Sequence, residues 1–261
     1  MTAAPRPLRI AFRADASLEI GTGHVMRCLT LARALRAKGA ECLFLGRPHA
    51  GHLLDFIAAE GFAVRTLPAP SSALLPVPVA HKAPAPAHAH WVGASWQADA
   101  DESRRAIETA LSGGRLDWLV VDHYGLDARW ERALRPVANR LMVVDDLADR
   151  PHDCDLLLDQ NLGRKAADCA GLIPAGAKML LGPAYALLRP EFAEWRMASL
   201  ARRKTPRLAR LLVTLGGVDK DNVTGQVLEA LDDTHLPTDL TITVVMGPTA
   251  PWLETVRQRA A

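Results

Sequence analysis

The chain has 261 residues, 49% hydrophobic and 23% charged, with a formal net charge of +2 at pH 7. This is the composition of an ordinary globular protein, and the length allows one large domain or two modest ones. A charge so close to balance gives no general pull toward nucleic acid or an anionic membrane, so neither is expected as a partner.

Residues 1–7 contain no apolar core of signal-peptide length, and no later run is long enough to span a bilayer, which predicts a cytoplasmic protein. A first strand is predicted over Leu8 to Arg13. One turn later, Ile20-Gly21-Thr22-Gly23-His24-Val25-Met26-Arg27 runs into residues apolar at helical spacing, predicting a helix over Gly23 to Lys38. Gly21 and Gly23 suit a tight strand-to-helix turn, and the unpaired N–H groups of a helix start attract an anion, typically a phosphate. His24 stands at that start, where the positive end of the helix dipole disfavours imidazolium; a neutral imidazole there is a candidate general base. The structural alternative is that His24 caps the helix and the glycines merely fit the turn.

Further strands are predicted at Cys42 to Gly46, Phe62 to Leu67, Asp117 to Asp122, Leu141 to Asp145, Asp155 to Asp159 and Lys178 to Leu181. Helices are predicted at Ala50 to Glu60, Asp99 to Leu111 and Leu126 to Val137. The alternation implies an α/β fold with a doubly wound parallel sheet. The strands end in polar tips: Arg13-Ala14-Asp15, Asp122-His123-Tyr124, Asp145-Asp146 and Asp159-Gln160-Asn161. In open α/β sheets ligands bind outside the carboxyl ends of the strands, so these tips should converge with the His24 loop. A single strand-ending Asp is usually a cap or turn former; four tips beside a glycine-histidine loop form a stronger pattern.

The proline-rich stretch between Leu67 and Trp96 reads as a long surface loop. Its His81, His88 and His90 lack an acid or cysteine at ligand spacing, so metal binding there would be adventitious, and no metal or cofactor is expected. Cys28, Cys42, Cys154 and Cys169 form no Cys-x-x-Cys pair and suit reduced, mostly buried thiols.

The basic run Arg202-Arg203-Lys204, with Arg207 and Arg210, reads as a solvated linker. A second α/β pattern follows: a strand over Leu208 to Leu215, a turn at Gly216-Gly217, a helix over Val223 to Leu231 capped by Asn222 or Asp221, a strand over Leu240 to Met246, and a helix from Pro251. The domains are therefore drawn as 1–200 and 201–261. The second, with two strands and two helices, is an incomplete Rossmann-like unit.

Taken together, Arg13-Ala14-Asp15-Ala16-Ser17, the Gly21 to Arg27 segment, Val121-Asp122-His123-Tyr124, Asp145 to Arg150, Cys154 to Asn161, Tyr185 to Phe192 and Gly216 to Asn222 resemble the UDP-2,4-diacetamido-2,4,6-trideoxy-β-L-altropyranose hydrolases of pseudaminic acid biosynthesis. The resemblance covers nearly the whole chain in order and implies a GT-B-like, two-domain fold. It also implies an enzyme acting on a small-molecule UDP-sugar, without a metal, by inverting hydrolysis; a monomer is expected. It places His24 as catalytic base. It matches Tyr124 and Asn222 to substrate contacts, and with the glycine turns and polar strand tips the expected substrate-binding residues are Arg13, Asp15, Gly21, Gly23, Arg27, Asp122, Tyr124, Asp145, Asn161, Gly216, Gly217 and Asn222. Asp219 and Asp221 would repel a diphosphate, so contacts at the second glycine turn are expected from backbone, Asn222 or Lys220. Relatives of this architecture hold the nucleotide with the later part of the second domain, so the chain reads as C-terminally truncated. A UDP-sugar glycosyltransferase and an inactive nucleotide-sugar-binding fragment are the competing readings.

Overall fold

The computed structural model describes residues 6–70, 85–248 and 250–259. The chain forms two compact units, one of Met1–Ser17 with Gly23–Leu187, the other of Leu18–Thr22 with Leu188–Ala261.

In the first unit, β1 (Arg9–Ala14), β2 (Glu41–Gly46), β3 (Ala63–Thr66), β4 (Leu116–Asp122), β5 (Ala138–Val144), β6 (Leu156–Asp159) and β7 (Lys178–Leu181) form one sheet. All pairs are parallel, in the order β3-β2-β1-β4-β5-β6-β7. The helices are α1 (Gly23–Arg36), α2 (Leu54–Ala59), α3 (Trp96–Leu111) and α4 (Ala128–Leu134).

Side-chain alternation along the strands sorts the apolar residues onto two faces. Ile10, Phe12, Phe44, Val120, Met142 and Val144 pack with Val25, Cys28, Leu29 and Ala32 of α1 and with Leu54 and Ile57 of α2. Ala11, Leu45, Leu119, Val121, Leu141 and Val143 pack on the other side with Ile107 of α3 and with Trp130 and Leu134 of α4. Phe12 lies opposite Phe44 in the register, and their rings stack with centroids 4.9 Å apart. Both faces are covered, which is why the central strands read as continuous apolar runs. The connection leaving β1 passes through α1 on one face, and that leaving β4 passes through α4 on the other. The adjoining carboxyl ends of β1 and β4 therefore form the topological switch point of the sheet, where such folds open a crevice.

Local chemistry moves several boundaries from those read in the sequence. α3 begins at Trp96 because Ser95 accepts a hydrogen bond from the Ala98 N–H at 3.1 Å. α4 is shorter than predicted: Asp127 caps its start, and Pro136 lies in the single 3₁₀ turn, Arg135–Val137, that follows it. The helix predicted from Ala50 starts at Leu54, after a turn in which the His52 N–H bonds to the His49 carbonyl. The predicted loop after Leu67 contains a 3₁₀ turn at Ala89–Val92, with Val92 only 1% exposed. His81 lies outside the described residues.

The second unit contains α5 (Pro190–Arg202), β8 (Arg210–Val213), α6 (Val223–Asp232), β9 (Thr241–Val244) and α7 (Leu253–Arg259), with β8 and β9 paired in parallel. Its buried apolar residues are Val213, Val218, Leu228, Ala250 and Val256, whereas Trp195, Met197 and Leu212 are exposed. Among the described residues no helix is long and apolar enough to cross a membrane.

Candidate active site

At the switch point, α1 begins directly after the glycine turn and carries His24 and Arg27 one helical turn apart. Asp122 is the last residue of β4 and is fully buried. His24 Nδ1 lies 2.6 Å from Asp122 Oδ1. A carboxylate held below its ordinary protonation range can only accept, so Nδ1 donates to it and Nε2 is the ring nitrogen left for other partners. Burial alone would raise the Asp122 carboxyl, but hydrogen bonds from Arg27 and the adjacent His24 more than offset it and hold the group low.

Arg27 fixes this pair from the side. Its Nε and Nη2 donate to the two oxygens of Asp122 at 2.5 and 2.6 Å, and its Nη1 donates to Asp146 Oδ2 at 3.0 Å. Tyr124, two residues beyond β4, donates its hydroxyl to Asp146 Oδ1 and sets its ring edge-on to His24 with centroids 4.5 Å apart. Burial and the Asp146 carboxylate push the Tyr124 phenol up, so it stays protonated as a donor. Beneath the pair, the buried Cys28 thiol points to Asp122 Oδ2 at 3.6 Å. Burial and the Asp122 charge push that thiol up, which leaves it a poor nucleophile.

His24, Arg27, Asp122 and Tyr124 thus come together as the sequence predicts. Arg13, Asp15 and Asp145 do not reach the crevice. Arg13 is fully buried, its Nη1 2.7 Å from Asp15 and its Nη2 2.8 Å from Asp99 of α3. Arg47 and the Trp130 indole also donate to Asp99, at 2.8 and 2.9 Å. Asp15 accepts from the Arg47 N–H at 2.7 Å. Burial would raise the Asp15 carboxyl, but Arg13 and the nearby His123 and His49 hold it far below its usual range. Arg13 and Asp15 are therefore components of an internal ion network that ties the tip of β1 to α3, rather than substrate ligands. Asp145 is turned inward as well, 2.8 Å from Arg150 and accepting from the Ala148 N–H at 3.0 Å.

Asn161 supports the site indirectly: its Nδ2 donates to the Asp146 carbonyl at 2.9 Å. Gly21 adopts φ of +79°, a conformation that disfavours a side chain, whereas an added Cβ at Gly23 would meet nothing within 4 Å. Gly216, Gly217 and Asn222 lie in the second unit. There Asn222 caps α6, accepting from the Gly225 N–H at 3.2 Å, and Asp219 accepts from the Val223 and Thr224 N–H groups at 2.9 Å each. Asp219 thus occupies two N–H groups at the start of α6.

Sequence reading missed Asp146 and the rings of His88 and Trp91. Asp146 was visible as half of the Asp145-Asp146 tip, but nothing local says which of two adjacent residues turns outward. Trp91 stacks near Tyr124, with centroids 5.9 Å apart and 27° between planes, and His88 packs 4.4 Å from Trp91. Among the described residues no three His, Cys, Asp or Glu side chains are grouped to hold a metal ion.

An imidazole held by a buried carboxylate at the strand ends is placed to exchange a proton with a water or hydroxyl. That geometry can be set beside known proteins. The chain is 26% identical over 229 residues to the UDP-2,4-diacetamido-2,4,6-trideoxy-β-L-altropyranose hydrolase of Campylobacter jejuni, covering 88% of this chain and 68% of that one. Among solved structures, Acinetobacter baumannii MurG superposes with a TM-score of 0.54 at 13% identity, over 98% of this chain and 64% of that one. Arabidopsis thaliana UGT89C1, complexed with UDP-L-rhamnose, superposes with a TM-score of 0.53 at 14% identity, over 97% of this chain and 72% of that one. The chain therefore spans about two thirds of the length of these proteins, and its fold is that of the GT-B class. No protein-family profile matches the chain.

Proposed function

We propose that the chain hydrolyses a UDP-activated 2,4-diacetamido-2,4,6-trideoxy sugar to the free sugar and UDP, with inversion at the anomeric carbon, as a step of pseudaminic acid biosynthesis. The observation that carries this reading is the His24–Asp122 pair at the switch point; the similarity to the C. jejuni hydrolase supplies the substrate class.

In the proposed reaction, His24 Nε2 takes a proton from a water whose oxygen forms a bond to the anomeric carbon. The bond from that carbon to the diphosphate oxygen breaks, and its electron pair leaves with UDP. Asp122 keeps Nδ1 protonated before the step and balances the imidazolium after it. A positioned general base contributes about two to four orders of magnitude in rate. The remainder falls to orienting the water and holding the substrate, because UDP is already a good leaving group.

The test is His24→Asn, assayed by UDP release and by UDP binding. Turnover should fall by about two orders of magnitude or more, while UDP affinity stays within a few-fold of wild type. Turnover within a few-fold of wild type would remove His24 from the role of base.

A further inference from the structure

Beside the His24–Asp122 pair stands a group of rings that proton transfer does not use. Trp91, Tyr124 and His88 are each half-buried and mutually packed, with His88 5.7 Å from Tyr124 and 4.4 Å from Trp91. Tyr124 in turn sets its edge against the His24 ring. The rings come from elements distant in sequence, and two features hold them together. Val92, next to Trp91, is buried in the core cluster of the α3–α4 face. Gly125, next to Tyr124, lets the turn approach: an added Cβ there would lie 2.6 Å from the His88 carbonyl oxygen and 2.8 Å from Val92 Cγ2. A turn anchored at both ends is a built wall.

We propose that this wall, with Trp91 at its centre, receives the sugar ring of the substrate and packs against its acetamido and methyl groups. The proposal rests on the hydrolase reading for the identity of the sugar nucleotide. Aromatic faces favour C–H groups and methyls and give no hydrogen bonds to hydroxyls. A sugar with two acetamido methyls and a methyl in place of a hydroxymethyl presents apolar groups that such a surface can cover. The edge-on contact of Tyr124 with His24 puts this packing next to the proposed base. His88 acts here through packing on Trp91.

Binding is measured in a His24→Asn background, so that turnover does not consume the ligand. UDP and the UDP-2,4-diacetamido-2,4,6-trideoxy sugar are titrated by calorimetry against Trp91 (unchanged), Trp91→Phe, Trp91→Leu and Gly125→Ala. With Trp91 unchanged, the sugar nucleotide should bind more tightly than UDP. That margin should shrink about tenfold in Trp91→Leu, of the order set by one mismatched group in an apolar site. It should be largely kept in Trp91→Phe and lost in Gly125→Ala, whose rings are all present but displaced. UDP affinity should not change in any of them. Equal affinity for UDP and sugar nucleotide with Trp91 unchanged, or a margin insensitive to Trp91→Leu, would overturn the wall. UDP release by wild type is scored separately: its absence together with an intact Trp91-dependent margin would retire the hydrolase reading and leave the wall standing.

Discussion

Asp122→Asn is the substitution that most directly probes how the base is prepared. The carboxylate has no spare geometry: Oδ1 receives His24 Nδ1 and Arg27 Nη2, each at 2.6 Å, and Oδ2 receives Arg27 Nε at 2.5 Å. An asparagine must turn its amide NH₂ toward one of these positions. Facing Oδ2's partner, the NH₂ opposes the Arg27 Nε–H, two donors with no acceptor between them. Facing the other way, it opposes Arg27 Nη2 and donates to His24 Nδ1, which shifts the ring proton to Nε2 and removes the lone pair from the reacting side. The first arrangement leaves a buried donor unsatisfied at a cost of about 1–3 kcal/mol; the second abolishes general-base catalysis, worth about 10²–10⁴ in rate. Since Arg27 keeps Asp146, the fold should survive. The expected result is a kcat for UDP release lowered at least about a hundredfold, with KM within a few-fold and a melting temperature within several degrees of wild type. A kcat within threefold of wild type in a folded variant would show that the Asp122 charge is not needed to prepare His24 or to balance its imidazolium, and the proposed role of Asp122 would fail with it.

Arg13→Gln should act on the fold rather than on the substrate. It leaves Asp15 and Asp99 buried without their shared cation, at about 3–5 kcal/mol, so the melting temperature should drop by roughly 10 °C with any remaining active protein keeping its KM; a normal melting temperature with a raised KM would restore Arg13 to the substrate. A separate prediction concerns pH. His152 is buried between Glu131, 2.7 Å from Nδ1, and Asp145, 3.8 Å from Nε2. Burial lowers its affinity for a proton, but those two carboxylates outweigh burial and raise it to about 9. Because the folded value lies above the unfolded one, the stabilisation is complete below about pH 6.5 and is lost as pH rises through about 9. At most it amounts to ~3 kcal/mol. The melting temperature should therefore decline between pH 7 and 9.5 in wild type and much less in His152→Gln; identical profiles would remove His152 as the cause.

The parts of the fold legible in the sequence were those fixed by short-range pattern. Alternation of apolar strands with helical spacing gave the sheet, and the Gly21 to Arg27 junction placed His24 correctly because a glycine turn entering an apolar helix has few other solutions. The strand tips could be recognised as a set, but not sorted individually. Successive residues on a strand point to opposite faces, and once a strand ends that rule no longer applies, so Asp145 and Asp146 looked interchangeable. Arg13 was expected to bind substrate as part of a strand tip because its partner, Asp99, lies 86 residues away in α3. The Trp91 turn, read as part of a loop, depends on space left by Gly125, a condition set in another element. In each case the missing information was tertiary.

Arg27 also fixes the sign of the charge at the site. One guanidinium is shared by two carboxylates, Asp122 and Asp146, so these three side chains carry one unit of surplus negative charge, and the proposed reaction, in which His24 starts as a base, leaves that surplus uncancelled until the proton is taken. Such a site repels phosphates, so on the proposed reaction the sugar end of the substrate belongs over the tips of β4 and β5, and the diphosphate must be directed away from them. Cleavage of a glycosyl bond gathers positive charge on the anomeric carbon and ring oxygen as the leaving group departs. A fixed negative field beside that carbon favours the transition state over the neutral sugar that precedes it. Proton capture by His24 then neutralises the cluster, so the field that assists bond cleavage weakens as the neutral product forms.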